Sequence, residues 1–222
     1  MRLGIYKSKI GIILFIILII SVPKNIIINI LSLHSNKVQG YLLDILESMI
    51  SVFIDVGAIY ITYKCVNNEE LIEKYQLLRD VFSKWKSIIW ADVLTTIIII
   101  GLTMFFIIPG IIGGIYYSLA IQVVILKGLS GGDAIHYSKE IVDEYWWNIF
   151  VIQALAVIMK VIVALPMGYI SEHFICNITF YTILDLVRIF FTIVLTLVFF
   201  TLDFTKNKKE SILEDNKCDI DI

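Results

Sequence analysis

Thr95–Lys127 reads TTIIIIGLTMFFIIPGIIGGIYYSLAIQVVILK, and no charged residue interrupts the chain between Asp92 and Lys127. Crossing ~30 Å of hydrocarbon takes ~20 residues at ~1.5 Å each. The stretch therefore reads as two crossings, 87–108 and 109–128, meeting at Pro109-Gly110. Proline suits the first position of a helix and glycine permits a tight turn, so this pair is expected to make a short helical hairpin.

Working outward, four more apolar stretches are long enough to cross: 10–32, 42–64, 146–168 and 179–203. The first follows Arg2, Lys7 and Lys9 and has the form of a signal peptide. No small-x-small cleavage site follows it, and the apolar run resumes at Ile26 after Pro23-Lys24-Asn25. It is expected to be an uncleaved helix kinked near Pro23. The composition agrees: of 222 residues 59% are hydrophobic and 17% charged, with a mean hydropathy of +0.87. Soluble domains carry ~25% charged residues, and a soluble fold of this size could not hide so much apolar surface. These numbers exclude disorder and nucleic-acid binding and argue against a soluble enzyme. The net charge of −2 and pI near 5.9 carry no information about partners.

Basic residues favour cytoplasmic loops. They gather before span 1 (Arg2, Lys7, Lys9), between spans 2 and 3 (Lys64, Lys74, Arg79, Lys84, Lys86) and between spans 4 and 5 (Lys127, Lys139). The tail adds Lys206, Lys208, Lys209 and Lys217, whereas the opposite side shows Lys37. The expected fold is an all-α polytopic membrane bundle of six transmembrane helices in the cell membrane, with both termini cytoplasmic. One domain covers 1–203, followed by a disordered tail over 204–222, where charges mix without an apolar period. Cys65 and Cys218 fall inside and Cys176 outside, so no disulfide joins them across the membrane. Asn177-Ile178-Thr179 matches a glycosylation acceptor, a triplet that also arises by chance.

Two cytoplasmic connections read as interfacial amphipathic helices. In Asn67–Lys86, residues Leu71, Tyr75, Leu78, Phe82 and Trp85 share one face with basic residues around it. Gly131–Trp147 repeats the arrangement, with Asp133 as the expected cap and Tyr145-Trp146-Trp147 at the headgroup belt.

The stretch from Trp90 to Phe150 resembles the membrane-domain family named after glycerophosphoryl diester phosphodiesterases. The likeness is carried by Ile108-Pro109-Gly110-Ile111-Ile112, Tyr117-Ser118-Leu119-Ala120, Gly131-Gly132-Asp133-Ala134-Ile135, Ser138, and Trp146-Trp147 with Phe150. In the members that give the family its name, this domain precedes a separate catalytic barrel. The chain ends at Ile222 and shows no metal-binding constellation of such an enzyme. The resemblance implies a fold and a membrane location, without phosphodiester hydrolysis.

Chemistry-bearing motifs are sparse. His34, His136 and His173 are not expected to hold a metal, and no nucleophile elbow, phosphate loop or zinc motif occurs. No cofactor or metal is expected. Gly110 and Gly114, with Gly113 beside them and Pro109 before them, match a small-residue helix packing face, or serve only the turn.

The charges within the spans are the informative residues. A charge at the bilayer centre costs at least ~2.5–3.5 kcal/mol, so it pairs or lines a wet cavity. Counting ~1.5 Å per residue from the inner end of each span puts Lys24, Lys160 and Arg188 near ~22 Å. Glu47 and Asp185 fall near ~25–27 Å and Asp44 at the outer edge, so six charges share one polar layer. Asp55 sits deeper, near ~14 Å, with Gln122 or the Thr95-Thr96 pair as its expected companions. Asp92 and Asp203 are expected to face water near the inner interface.

Two readings of the layer stand: a hydrated cavity that binds a headgroup, peptide or ion, or ion pairs that hold the bundle in register. The functional expectation is a non-catalytic membrane protein acting by interaction. It would be an accessory or scaffold subunit of an export or self-protection (immunity) system, meeting a cytoplasmic or membrane protein partner through the interfacial helices. The alternative is a transporter or channel for a small solute, lipid or peptide. A lipid-directed enzyme using Asp44, Glu47 and Asp185 has the least support, because no His or Cys lies beside them.

Overall fold

The computed structural model describes residues 20–32, 36–67, 79, 83–166 and 174–218. Every described element is helical, with no strand among the described residues. In order they are α1 (Ile20–Ser32), α2 (Lys37–Val66), α3 (Trp85–Phe105), α4 (Ile107–Tyr116) and α5 (Ala120–Lys127), then α6 (Gly132–Asp143), α7 (Trp146–Ala164) and α8 (Phe174–Cys218).

Among the described residues, four stretches are long and apolar enough to cross a membrane: Trp85–Phe105, Ile107–Lys127, Trp146–Ala164 and Cys176–Lys209. Large apolar side chains on α3, α4 and α7 stand exposed, including Ile97, Met104, Ile108, Leu155 and Ile162. Apolar surface of that extent is what a bilayer covers. The protein is thus a helical membrane protein. The expected first span is described over its second half as α1, an apolar helix shorter than a crossing. The expected second span is α2, a 30-residue helix studded with Asp44, Glu47, Asp55 and Lys64.

The chain divides into two compact units. The first comprises Met1–Lys84 with Val151–Ile193. Its apolar core runs along one stripe of α2, Ile54, Ala58, Ile61 and Cys65, against Ile189 and Ile193 of α8. Spacings of three and four residues put this stripe on one helix face.

The second unit comprises Trp85–Phe150 with Val194–Ile222. The turn between α3 and α4 falls at Phe106, in extended conformation (φ −159°, ψ 146°), and not at Pro109-Gly110 as expected. Pro109 is instead the third residue of α4, where a helix has no use for a backbone N–H. A Cβ on Gly110 would collide with the Thr103 side chain, and one on Gly113 would lie 2.5 Å from Leu102 Cδ1. Gly114 meets nothing within 4 Å. The close helix contact therefore uses Gly110 and Gly113, and the expected Gly110/Gly114 pairing is corrected accordingly.

The stretch Ile107–Lys127 is interrupted at Tyr117–Leu119, where Ser118 N–H bonds Ile115 O and Ala120 N–H bonds Tyr117 O. These three-residue steps release the carbonyl of Tyr116, and the buried hydroxyl of Ser138 on α6 donates to it at 2.8 Å. Helix α5 ends in left-handed Gly128 (φ 73°), whose N–H bonds Val124 O. Gly131 (φ 56°) then packs beneath Trp90, where a Cβ would sit 3.3 Å from the indole.

Helix α6 starts after Gly131, so Asp133 is a first-turn residue and not the cap. Its apolar face (Ala134, Ile135, Ile141, Val142) is buried by protein, against α3, α4 and α5. The expected interfacial helix over 67–86 lies mostly outside the described residues. Trp146 stacks on Phe150 at 5.3 Å, with Trp147 edge-on to both.

The expected disordered tail over 204–222 is also corrected: α8 runs unbroken to Cys218, a helix of 45 residues. Lys206 and Lys209 bind Glu140 and Glu144 at 2.6 and 2.7 Å, which holds this charged stretch helical where no apolar period would. Asn177-Ile178-Thr179 lies inside α8.

Candidate functional site

Three polar stripes converge in the first unit. On α1, Ser21, Lys24 and Asn25 are buried at positions i, i+3 and i+4. On α2, Glu47, Ser51 and Asp55 recur every fourth residue. On α8, Thr182, Asp185, Arg188 and Thr192 follow at three- and four-residue steps.

Lys24 is the hub, its side chain 4% exposed. Its ammonium lies 2.9 Å from Asp185 Oδ2 and 3.2 Å from Glu47 Oε1, and it donates to Ser51 Oγ at 3.5 Å. Two carboxylates and a hydroxyl thus surround the ammonium. Asn25 Nδ2 donates to the same Asp185 oxygen at 3.2 Å and to Thr182 Oγ1 at 3.3 Å. The other Asp185 oxygen faces Arg188 Nη2 at 3.5 Å, and Arg188 Nε lies 3.5 Å from Asp55 Oδ1. Thr192 Oγ1 donates to Asp55 Oδ1 at 3.3 Å. The charges alternate along Glu47, Lys24, Asp185, Arg188 and Asp55, so each desolvated charge has an opposite neighbour. That arrangement offsets the ~2.5–3.5 kcal/mol that an isolated charge costs in hydrocarbon.

Beside this ladder lies a cleft of about 390 Å³ lined by Glu47, Lys160, Val161, Ala164, Tyr181, Leu184, Asp185 and Arg188. Of the six charges expected in one layer, Lys24, Glu47, Asp185 and Arg188 join in the ladder, and Lys160 of α7 lines the same cleft. Asp44 is exposed on α2 and has no ion pair among the described residues. Asp55 takes Arg188 and Thr192 as partners; Gln122 and the Thr95-Thr96 pair, its expected companions, belong to the other unit. Gln122 is buried there with its Oε1 unbonded among the described residues. Asn25, Ser51, Thr182 and Thr192 were not anticipated, although their three- and four-residue spacing from Glu47, Asp185 and Arg188 is a usable signal.

The second unit carries a different constellation, which clasps the end of α8 to α6. Asp203 accepts from Tyr137 at 2.6 Å and pairs with Lys127 at 2.7 Å, so it is engaged and does not simply face water as expected. Lys206 sits 4.3 Å from the Tyr137 ring centre while its ammonium holds Glu140. The hydrogen bond from Lys206 holds the Glu140 carboxyl below its ordinary pKa. Burial pushes the Tyr137 phenol up, and its bond to Asp203 adds to the shift.

Compared with known proteins, the chain matches no family model, no curated protein and no solved structure.

Proposed function

We propose that the chain is a six-crossing protein of the cell membrane with both termini cytoplasmic, acting by interaction and not by catalysis. It serves as an accessory or scaffold subunit of an export or self-protection system. One observation carries this reading. At ~1.5 Å per residue α8 is about 67 Å long, roughly twice the ~30 Å of hydrocarbon. Its end is fixed to α6 through Asp203, Lys206 and Lys209, so the two helices form one braced surface of mixed charge outside the bilayer. Mixed charge on a rigid helical surface suits a protein partner. The crowding of basic residues into the same loops supports a cytoplasmic position for that surface. Cysteine-directed cross-linking from position 139 on the exposed face of α6, in native membranes, tests it. A single stoichiometric partner is expected, and cross-links to this chain alone would refute the reading.

A second reading, transport of a small solute, lipid or peptide, draws on the interruption at Tyr117–Leu119, since broken helices form the sites of many transporters. A flux in reconstituted vesicles that is unchanged by Lys160→Ala and Glu47→Ala would count against the charged layer as its path.

A further inference from the structure

We infer that the cleft lined by Glu47, Lys160, Tyr181, Asp185 and Arg188 is a headgroup site for a zwitterionic phospholipid. The phosphate rests on Lys160 and Arg188, and the ammonium on Glu47. This inference needs the membrane placement of the chain and is independent of the scaffold reading.

The argument begins with which groups are already satisfied. Lys24 is engaged by Glu47, Ser51 and Asp185. Glu47 uses Oε1 on Lys24, and its other oxygen has no partner among the described residues. Arg188 faces Asp55 through its buried Nε and Asp185 through its buried Nη2, each at 3.5 Å, while the side chain as a whole remains 24% exposed and makes no hydrogen bond among the described residues, which leaves Nη1 open. Lys160 has no carboxylate within ion-pair distance among the described residues. It projects from α7 beside the exposed apolar residues Met159, Val161 and Ile162, where hydrocarbon would surround it. Two cations with open donors and one carboxylate oxygen with an open lone pair therefore face one cleft.

The charge balance selects the ligand. Among the groups that line the cleft or belong to the ladder, three acids (Glu47, Asp55, Asp185) meet three bases (Lys24, Lys160, Arg188); Asp44, near enough to act on Tyr181, is exposed. A ligand of net charge would leave one charge uncompensated in a low-dielectric site, whereas a zwitterion adds none. Phosphate takes several N–H donors at once, and an ammonium suits a carboxylate oxygen. The cleft volume of about 390 Å³ falls in the ~300–1,000 Å³ range of small-molecule sites. Val161, Ala164 and Leu184 supply an apolar wall for the glycerol and first methylenes, continuous with the exposed face of α7. A lipid enters from the side without leaving the bilayer.

The test titrates the full chain in detergent with phosphatidylethanolamine, phosphatidylglycerol, diacylglycerol and water-soluble phosphoethanolamine, followed by native mass spectrometry. Phosphatidylethanolamine is expected to bind best, with Lys160→Gln weakening it about tenfold or more and Lys160→Arg retaining it. Glu47→Gln is expected to narrow the preference for phosphatidylethanolamine over phosphatidylglycerol. Equal binding of diacylglycerol or phosphatidylglycerol to the unaltered protein would overturn the assignment without recourse to any variant. So would an unchanged affinity in Lys160→Gln, which would leave Lys160 merely snorkelling. Phosphoethanolamine displacing the lipid at matched concentration would make the ligand a free solute and overturn the lipid assignment.

Discussion

Replacing Lys24 with Met keeps the length of the side chain and removes the hub of the ladder. The ammonium lies 2.9 Å from Asp185 and 3.2 Å from Glu47, whose side chains are 10% and 28% exposed. Glu47 opens onto the cleft and can be solvated there, so the loss concentrates on Asp185. That carboxylate would keep Asn25 at 3.2 Å and the distant Arg188, with no close cation. Removing one partner of a buried pair costs about 3–5 kcal/mol, and the residual bond from Asn25 argues for the lower end, about 3 kcal/mol. Out of a total stability of ~5–15 kcal/mol this is a large fraction. Adding Asp185→Asn to Lys24→Met removes the orphaned charge, so the double variant should recover part of the loss, with a coupling of about 1–3 kcal/mol. Asp44→Asn, at an exposed carboxylate, should stay within about 0.5 kcal/mol of the parent. Reversible unfolding in mixed micelles measures the parent, Lys24→Met, Asp185→Asn alone, the double variant and Asp44→Asn. A cost below about 0.5 kcal/mol for Lys24→Met, or additive losses in the double variant, would refute the ladder as a stabilising element.

The remaining predictions concern the second unit. Gly110→Ala should destabilise by about 1–3 kcal/mol through the clash with Thr103, while Gly114→Ala should be neutral or stabilising by up to about 1 kcal/mol; thermal unfolding separates them. Ser138→Ala strips the Tyr116 carbonyl of its donor and should cost about 1–3 kcal/mol, measured in the same way. Glu140 has its folded pKa lowered by Lys206, so its contribution is complete above its ordinary value of 4.5 and is lost as pH falls through the lower folded value. Spin labels on α6 and the end of α8 should therefore separate on acidification or in high salt. Glu140→Gln should weaken the acid response without abolishing it, since Glu144 also pairs with Lys209 and Asp203 with Lys127.

The buried charges were readable in the sequence because a lysine or aspartate inside an apolar helix must find an opposite charge at a similar depth. Rise per residue supplies the depth, and this brought Lys24, Glu47, Asp185 and Arg188 to one level. It does not supply the direction in which a side chain points. Depth alone therefore offers Gln122 or the Thr95-Thr96 pair as companions of Asp55, which Arg188 and Thr192 hold, and counts Asp44 in the layer although it is exposed. Asn25, Ser51 and Thr182 escaped notice because neutral polar residues cost little in a membrane helix and so stand out less than charges.

Boundaries show the same division. Pro109-Gly110 looks like a turn, yet a single extended residue, Phe106, makes it, because the helix then accommodates proline at its third position. The end of α8 has no apolar period of its own. Its helix rests on ion pairs with Glu140 and Glu144, which lie more than sixty residues away and leave no local trace.

The most direct measurement joins α1 to α8 in the native membrane. In a chain freed of its own cysteines, Asn25→Cys and Thr182→Cys replace side chains whose polar atoms lie 3.3 Å apart. A short bis-thiol reagent should link them nearly completely before any detergent is added. An Asp44→Cys and Thr182→Cys pair should link poorly. Failure of the first pair to link, or equal linking of both, would contradict the convergence of these helices on a common charged site.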